Sequence, residues 1–349
     1  MKVLVTGDGG YIGSVLSRML IDKSYCVIGY DTEFYGGCEV DVHNPSYKKI
    51  IKDIRAVTIE DLEGIDAVIH LAALSNDPLG ELAPGLTEQI NLGGTLKLAN
   101  LAREAGVKRF IYSSSQSMYG ISNADEELDE EKSEKNPLTA YARTKWEAEC
   151  ALRKLNSDQF TVVCFRPSTV FGASPRLRCD VVFNNLVASA YTTGRIEIKS
   201  DGTPWRPVVH VRDVSEAYIA GLEAPHELVA GHSFNVGIPD GNYTVHDLAK
   251  AAQSSVPGSV LTFTGEHGLD SRTYRISFKK ILTQLKDYYR PKWDLLKAGI
   301  ELVSFFKKIN FKEELFRGRH CNRLRQIDYL LQEYHINKDL FWTKNYVEV

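Results

Sequence analysis

Tyr141 and Lys145 stand four residues apart in Tyr141-Ala142-Arg143-Thr144-Lys145, a stretch that follows Pro137 and opens a predicted helix running through Leu155. Residues at i and i+4 share one helical face, so the phenol and the ammonium point the same way. A phenol with an ordinary pKa near ~10 is a poor base at neutral pH, but a neighbouring positive charge favours the phenolate. Beside a hydroxyl group, such a pair can move a proton on and off a substrate hydroxyl. Ser115, at the end of the apolar strand Phe110-Ile111-Tyr112-Ser113-Ser114-Ser115, is the candidate hydroxyl. The Y-x-x-x-K spacing recurs by chance, so its meaning depends on the elements that position it.

Those elements begin at the first residues. Lys2 to Thr6 reads as a short buried strand, Gly7-Asp8-Gly9-Gly10-Tyr11-Ile12-Gly13 as a turn, and Ser14 to Leu20 as a helix. A strand, a glycine-rich turn and a helix make a cradle for a dinucleotide phosphate, although a lone glycine triplet is also compatible with an ordinary turn. Gly7 permits the turn, Gly10 lets the backbone approach the pyrophosphate, and Gly13 allows close packing of helix on strand. The N–H groups of the helix start, around Tyr11 and Ile12, then face the phosphates. The second strand, Tyr25 to Tyr30, ends in Asp31. Its carboxylate either caps a turn or accepts both ribose hydroxyls, and in the second role it repels a 2′-phosphate and selects NAD over NADP. Asp53 and Ile54 close a third apolar segment and are placed to flank the adenine.

Ala67 to Ala73 is a continuous apolar run expected to form a central parallel strand, with Leu71, Ala72 and Ala73 at the carboxyl end beside the cofactor. Ser75-Asn76-Asp77-Pro78 opens a loop over the site. Gln89 to Gly106 reads as one long amphipathic helix, where Asn91 serves either as a cap or as a partner for the backbone of the neighbouring strand end. Phe160 to Phe165 is a sixth strand. Strands alternating with helices predict an α/β fold, a doubly wound parallel sheet of Rossmann type, with a smaller mixed α/β substrate region and a helical C-terminal extension. The expected boundaries are 1–173, 174–280 and 281–349.

The remaining bounds come from composition. The chain has 349 residues, is 43% apolar and 25% charged, and has a net charge of -3. That is the make-up of a soluble globular protein with no global pull towards nucleic acid. Its six cysteines are scattered without ligand spacing and read as reduced thiols. The first strand begins at Lys2 and no apolar run approaches a membrane span, so a cytoplasmic location and no membrane partner are expected. The acidic run from Asp125 to Glu134 lacks histidines and turn spacing and is read as a solvated loop; no metal site is expected. Lys292 to Ile309 and Glu313 to Tyr334 read as amphipathic helices. Lys307, Lys308, Lys312, Arg317, Arg319, Arg323 and Arg325 are taken as their solvated face. This tail is expected to be a helical cap or a subunit contact, the latter in a homodimer.

Taken together, the motifs resemble the extended short-chain dehydrogenase/reductase family, in particular its nucleotide-sugar epimerase and dehydratase branch. They are T-G-x-x-G-x-x-G at Thr6 to Gly13, the acidic strand end at Asp31, and H-L-A-A at His70 to Ala73. S-S-S-x-x-x-Y-G follows at Ser113 to Gly120, then Y-x-x-x-K at Tyr141 to Lys145 and R-P-x-x-V-F-G at Arg166 to Gly172. The resemblance implies that Pro167, Thr169 and Val170 lie against a nicotinamide, whose positive charge would further favour the Tyr141 phenolate. It also implies a nucleotide-sugar substrate held among Ser75, Asn76, Ser115, Gln116, Ser117, Asn185, Arg206 and Arg272. Arg206 is expected against the diphosphate or, failing that, in a surface ion pair. One departure is Asp8, a carboxylate in the phosphate turn where the family usually has a small neutral residue; it counts towards a non-catalytic relative unless its side chain points to solvent, where it is harmless.

The resemblance further implies a mechanism. Tyr141 takes the proton from a sugar hydroxyl as the same carbon loses a hydride to NAD, Ser115 bonds that oxygen, and a ketosugar results. Return of the hydride to the opposite face gives an epimer. Dehydratases of the family place Asp-Glu directly after the residue matching Ser115, and decarboxylases carry a glutamate at the Ser117 position, whereas this chain has Gln116-Ser117. Epimerisation, at C4, is therefore expected first and simple dehydrogenation or ketoreduction second. A non-catalytic NAD-binding sensor or nucleic-acid-binding relative, suggested by the basic tail, would have no use for Ser115, Tyr141 and Lys145 together.

Overall fold

A computed structural model describes residues 1–41, 47–75, 77–121, 126–266 and 273–343. Asn76 and Arg272 lie outside these residues. Seven strands form one sheet: β1 (Lys2–Thr6), β2 (Cys26–Asp31), β3 (Lys48–Ile51), β4 (Ala67–His70), β5 (Arg109–Ser113), β6 (Thr161–Pro167) and β7 (Ser233–Val236). Their order is β7-β6-β5-β4-β1-β2-β3, and every pairing is parallel. The order reverses between β1 and β4, and at such a switch point the connecting segments part and leave a crevice.

The strands divide their side chains by the two-residue period of an extended chain. Val3, Val5, Ile69, Ile111, Val163 and Phe165 join one core cluster, while Leu4, Val68, Phe110, Tyr112, Val162 and Cys164 join another. Both faces are thus buried, as a parallel sheet covered by helices requires. The register Thr6↔His70, His70↔Tyr112 and Ser113↔Phe165 keeps the carboxyl ends of the central strands level. Whatever follows Thr6, His70, Ser113 and Pro167 in the chain emerges at one edge.

The helices α1 (Tyr11–Asp22), α2 (Thr95–Glu104) and α3 (Ala140–Arg153) belong to this half. The expected single helix over 89–106 begins instead as a π-helical segment, Glu88–Gly94, that runs into α2. A third core gathers Phe171, Phe183, Ile196, Val208, Leu248 and Leu302 around α4 (Val182–Thr193) and a later helix, Leu295–Lys308.

The second predicted C-terminal helix is broken. Glu313–Arg317 stops at Gly318, whose extended backbone turns the chain, and α5 (Arg323–Gln332) starts after Asn322, whose side chain accepts from the Arg325 N–H. Ile327, Leu330, Ile336 and Leu340 then enter the same core cluster as Leu4 and Val68. The residues from Arg323 onward are therefore a layer of the first half, and Arg323, expected on a solvated face, is buried. Among the described residues no helix is long and apolar enough to cross a membrane.

Candidate active site

A cavity of about 620 Å³ runs along the carboxyl edge of the sheet. It is lined by Gly7, Gly10, Tyr11, Ile12, Gly13, Asp31, Asp53, Ile54, Leu71, Ala72, Ala73, Ser75, Ser115, Gln116, Ser117, Tyr141, Lys145, Pro167, Thr169, Val170, Asn185 and Arg206. One wall can be followed rung by rung along α3. Thr139 caps the helix, accepting from the Ala142 N–H at 3.1 Å. Tyr141 then faces the cavity, and one turn later the Lys145 Nζ donates to the Ser113 carbonyl at 2.7 Å. A further turn on, Glu149 receives Arg166, Nη2 to Oε1 at 2.5 Å, with both side chains fully buried. Arg166, from R-P-x-x-V-F-G, also donates to the Tyr119 hydroxyl at 2.8 Å, so its charge is answered inside the scaffold.

Ser115 is positioned by the turn it starts. Its Oγ accepts from the Ser117 N–H at 3.1 Å and from the Ser117 hydroxyl at 2.9 Å. Both lone pairs are then in use, which leaves the Ser115 O–H as a donor, and Ser115 lies near enough to Tyr141 to favour its phenolate. Burial pushes the Tyr141 phenol up to about 12, opposed by the Ser115 bond and raised further by Asp77. Burial also pushes Lys145 down to about 7. Burial thus opposes the charged form of both groups.

Behind this wall a relay of hydrogen bonds locks the strand ends. The Ala72 N–H donates to Thr6 Oγ1 at 3.3 Å, which bonds His70 Nδ1 at 2.6 Å. His70 Nε2 meets Thr95 Oγ1 at 2.7 Å, and that hydroxyl donates to the Asn91 carbonyl at 2.6 Å. Thr95 thus accepts from Nε2–H and Thr6 donates to Nδ1, leaving a neutral imidazole that burial holds down at about 3. Asn91, which does not line the cavity, pairs reciprocally with Leu74 through Oδ1 at 2.8 Å and Nδ2 at 3.2 Å.

At the other end, Asp31 Oδ2 accepts from the Gly9 N–H at 3.1 Å and Oδ1 from the Glu33 N–H at 2.8 Å. Burial, with Glu33 and Asp8 nearby, raises its pKa. Asp53 is held by Arg55, whose Nη2 reaches Oδ2 at 2.7 Å. Asp8 does not point to solvent: it is wholly buried, accepting from the Tyr47 hydroxyl at 2.9 Å and paired with Lys49 at 3.5 Å. Gly29 makes this possible, since a Cβ there would lie 2.4 Å from Asp8 Oδ2. The carboxylate is therefore tucked beneath the turn, off the cavity wall.

Several lining residues escaped the sequence reading: Phe34, Tyr35, Arg178, Asp180, Tyr274 and Arg323. Arg178 follows closely on R-P-x-x-V-F-G, a signal that could have been used. Arg323 shares its helical face with Ile327 and Leu330, and an arginine on an apolar face was the available sign.

Residues 3–237 match the NAD dependent epimerase/dehydratase family. The chain belongs to that family. A dTDP-D-glucose 4,6-dehydratase of Mus musculus is 30% identical over 247 residues, covering 68% of this chain and 68% of the relative. A UDP-glucose 4-epimerase of Bacillus subtilis is 29% identical over 280 residues, 72% of this chain and 81% of the relative. Among solved structures, the UDP-glucose 4-epimerase of Thermotoga maritima with UDP-glucose superposes with a TM-score of 0.76 at 24% identity, covering 88% of this chain and 99% of that one. That likeness is one of fold. The family's cofactor is NAD, and the glycine turn that would hold its pyrophosphate packs this closely against the strand ends and the start of α1 only because side chains are missing. A Cβ on Gly7 would sit 2.8 Å from the Ala72 nitrogen, and one on Gly13 would sit 2.0 Å from the Gly7 oxygen. The start of α1 carries no side-chain cap and no acidic residue in its first turn, so its N–H groups are left for an anion.

Proposed function

We propose that this enzyme interconverts two nucleotide sugars by inverting one carbon, C4, through a transient ketosugar. The observation that carries the reading is the pairing of a complete Ser115, Tyr141 and Lys145 set with Gln116-Ser117. Gln116 is buried with its Nε2 donating to the Arg166 carbonyl at 3.0 Å, and the Ser117 hydroxyl is spent on Ser115. Neither offers the acid or base that elimination of water across two carbons demands. NAD, when bound, supplies the hydride acceptor and donor.

The protein's own part is proton transfer and orientation. Tyr141 takes the hydroxyl proton of the sugar and returns it, and the Ser115 O–H steadies the same oxygen. Burial opposes ionisation of the Tyr141 phenol, and the positive charges of Lys145 and of an oxidised nicotinamide, when bound, would favour it. Lys145 spends one N–H on Ser113 and has two left for ribose hydroxyls. Gly10, Tyr11, Ile12, Asp31, Asp53 and Ile54 are assigned to the adenosine half of NAD, and Pro167, Thr169 and Val170 to the nicotinamide. Asn185, tethered to the Cys179 carbonyl at 2.9 Å, and Arg206 form the nucleotide-sugar end, where a guanidinium fork matches diphosphate oxygens.

The test is incubation with a panel of nucleotide sugars in deuterated water, following NADH absorbance and product configuration by NMR. Epimerisation gives a product changed only in configuration, no net NADH and no solvent deuterium at the inverted carbon. Stoichiometric NADH would make the enzyme a dehydrogenase, and loss of water with deuterium at C5 would make it a dehydratase.

A further inference from the structure

Arg323, the first residue of α5, reaches the cavity from the far end of the chain. It is 2% exposed, and its guanidinium lies 4.3 Å from the centre of the Tyr35 ring. Nη2 donates to the Arg176 carbonyl at 2.7 Å, while Nη1 has no partner among the described residues. Beside it Arg178 also lines the cavity, its charge shared with Asp180 through bonds of 2.8 and 3.1 Å. A buried guanidinium with an open donor, next to a second guanidinium and on a cavity wall, is a site for an anion.

The surroundings identify which anion. The segment that carries Arg323 grips the loop after Asp31: Gln326 Nε2 donates to the Phe34 carbonyl at 2.9 Å and Trp342 Nε1 to the Thr32 carbonyl at 2.6 Å. It also grips the neighbourhood of Asp53, with Arg55 Nη1 donating to the Asp339 carbonyl at 2.9 Å and the Arg55 guanidinium 3.8 Å from the centre of the Phe341 ring. These are the two stretches assigned to the adenosine half of the dinucleotide. We infer that α5 and the residues after it are part of the NAD site, with Arg323 binding the pyrophosphate and the tail holding the adenosine loop closed. The glycine turn would then offer backbone N–H groups and Arg323 a charged fork to the same diphosphate. This rests on NAD as the cofactor and on the cavity's assignment to it, and is independent of which carbon or reaction is involved.

The experiment follows exchange of bound NAD for isotopically labelled NAD in the purified enzyme, with ADP-ribose, adenosine and UDP as competing or added ligands. Arg323→Met should speed NAD exchange and weaken ADP-ribose about 10- to 100-fold, as loss of a charged hydrogen bond does, and leave adenosine within about twofold. Arg323→Lys, which keeps charge but loses the fork, should fall between, and it carries the same readout if the methionine variant does not fold. Trp342→Phe, which removes the N–H to Thr32 together with part of the ring that packs on Phe34, should also speed exchange. UDP binding to the NAD-loaded variants should match wild type. Wild-type exchange in both Arg323 variants would overturn the proposal. So would an equal loss for adenosine, which marks a collapsed pocket, or a loss confined to UDP, which would move Arg323 to the substrate diphosphate. None of these readouts uses turnover, so a failure of the epimerase reading leaves them unaffected.

Discussion

The two ends of the cavity are built by different means. At the end that holds Tyr141, each side chain sits on a strand end or a helix rung, and the charges behind it are closed within the scaffold: Arg166 is answered by Glu149 and Tyr119. At the end that holds Asp31, the walls are loops drawn together by a segment from the far end of the chain, and Arg323 keeps an open donor. Proton transfer needs particular atoms held within tenths of an ångström, which rigid elements provide. Enclosing a cofactor needs only coverage and a matching charge, which any part of the chain that packs there can supply. The end proposed for catalysis is thus preorganised, and the end proposed for adenosine is assembled by long-range contacts.

The largest expected effect separates the two ends. Tyr141→Phe should lower turnover by ~10²–10⁴-fold, the usual cost of losing a general base, while NAD binding, measured by calorimetry, stays within about twofold of wild type. Equal loss of both would mean the ends are not independent.

Next comes the scaffold behind the catalytic end. Glu149→Ala strands the Arg166 guanidinium in the core, and urea unfolding should show a loss of about 3–5 kcal/mol. A variant as stable as wild type would show that Arg166 finds other partners.

At the opposite end, Asp31→Ala should weaken NAD about 10-fold in a binding titration and narrow its advantage over NADP, because a charged acceptor and a repulsive charge go together. An unchanged preference would move the selection to other groups.

The most gradual effect, spread over several pH units, concerns the relay of hydrogen bonds that locks the strand ends. His70 titrates near 3 when folded against 6.5 in the unfolded chain, so between those values the unfolded state holds a proton that the folded state lacks. Its contribution is complete above pH 6.5 and is lost as pH falls towards 3, with a slope of up to about 1.4 kcal/mol per pH unit. His70→Gln should flatten the stability profile by that amount in this window, as read by urea unfolding across pH. A profile of unchanged slope would place the titration elsewhere.

The uneven legibility of the sequence follows the same division. Glycines that admit no Cβ, a tyrosine and lysine one turn apart and apolar strand runs are local necessities, so Gly7, Gly13, Tyr141, Lys145 and the parallel sheet could be read directly from the chain. The sequence also showed an acid at position 8 and an arginine at 323. It did not show that Asp8 turns inwards to Tyr47 and Lys49, or that Arg323 turns inwards over Tyr35. Those directions are set by partners tens to hundreds of residues away: a charged side chain is solvated unless a distant segment buries it, and local pattern carries no information about which segment arrives. The family motifs, the fold and the chemistry available at Tyr141 were determined by the sequence alone. Only packing decided that the C-terminal tail would close over the Asp31 loop: the spacing of Arg323, Ile327 and Leu330 signals a buried face, but the backbone carbonyls and aromatic ring that it meets leave no spacing to read.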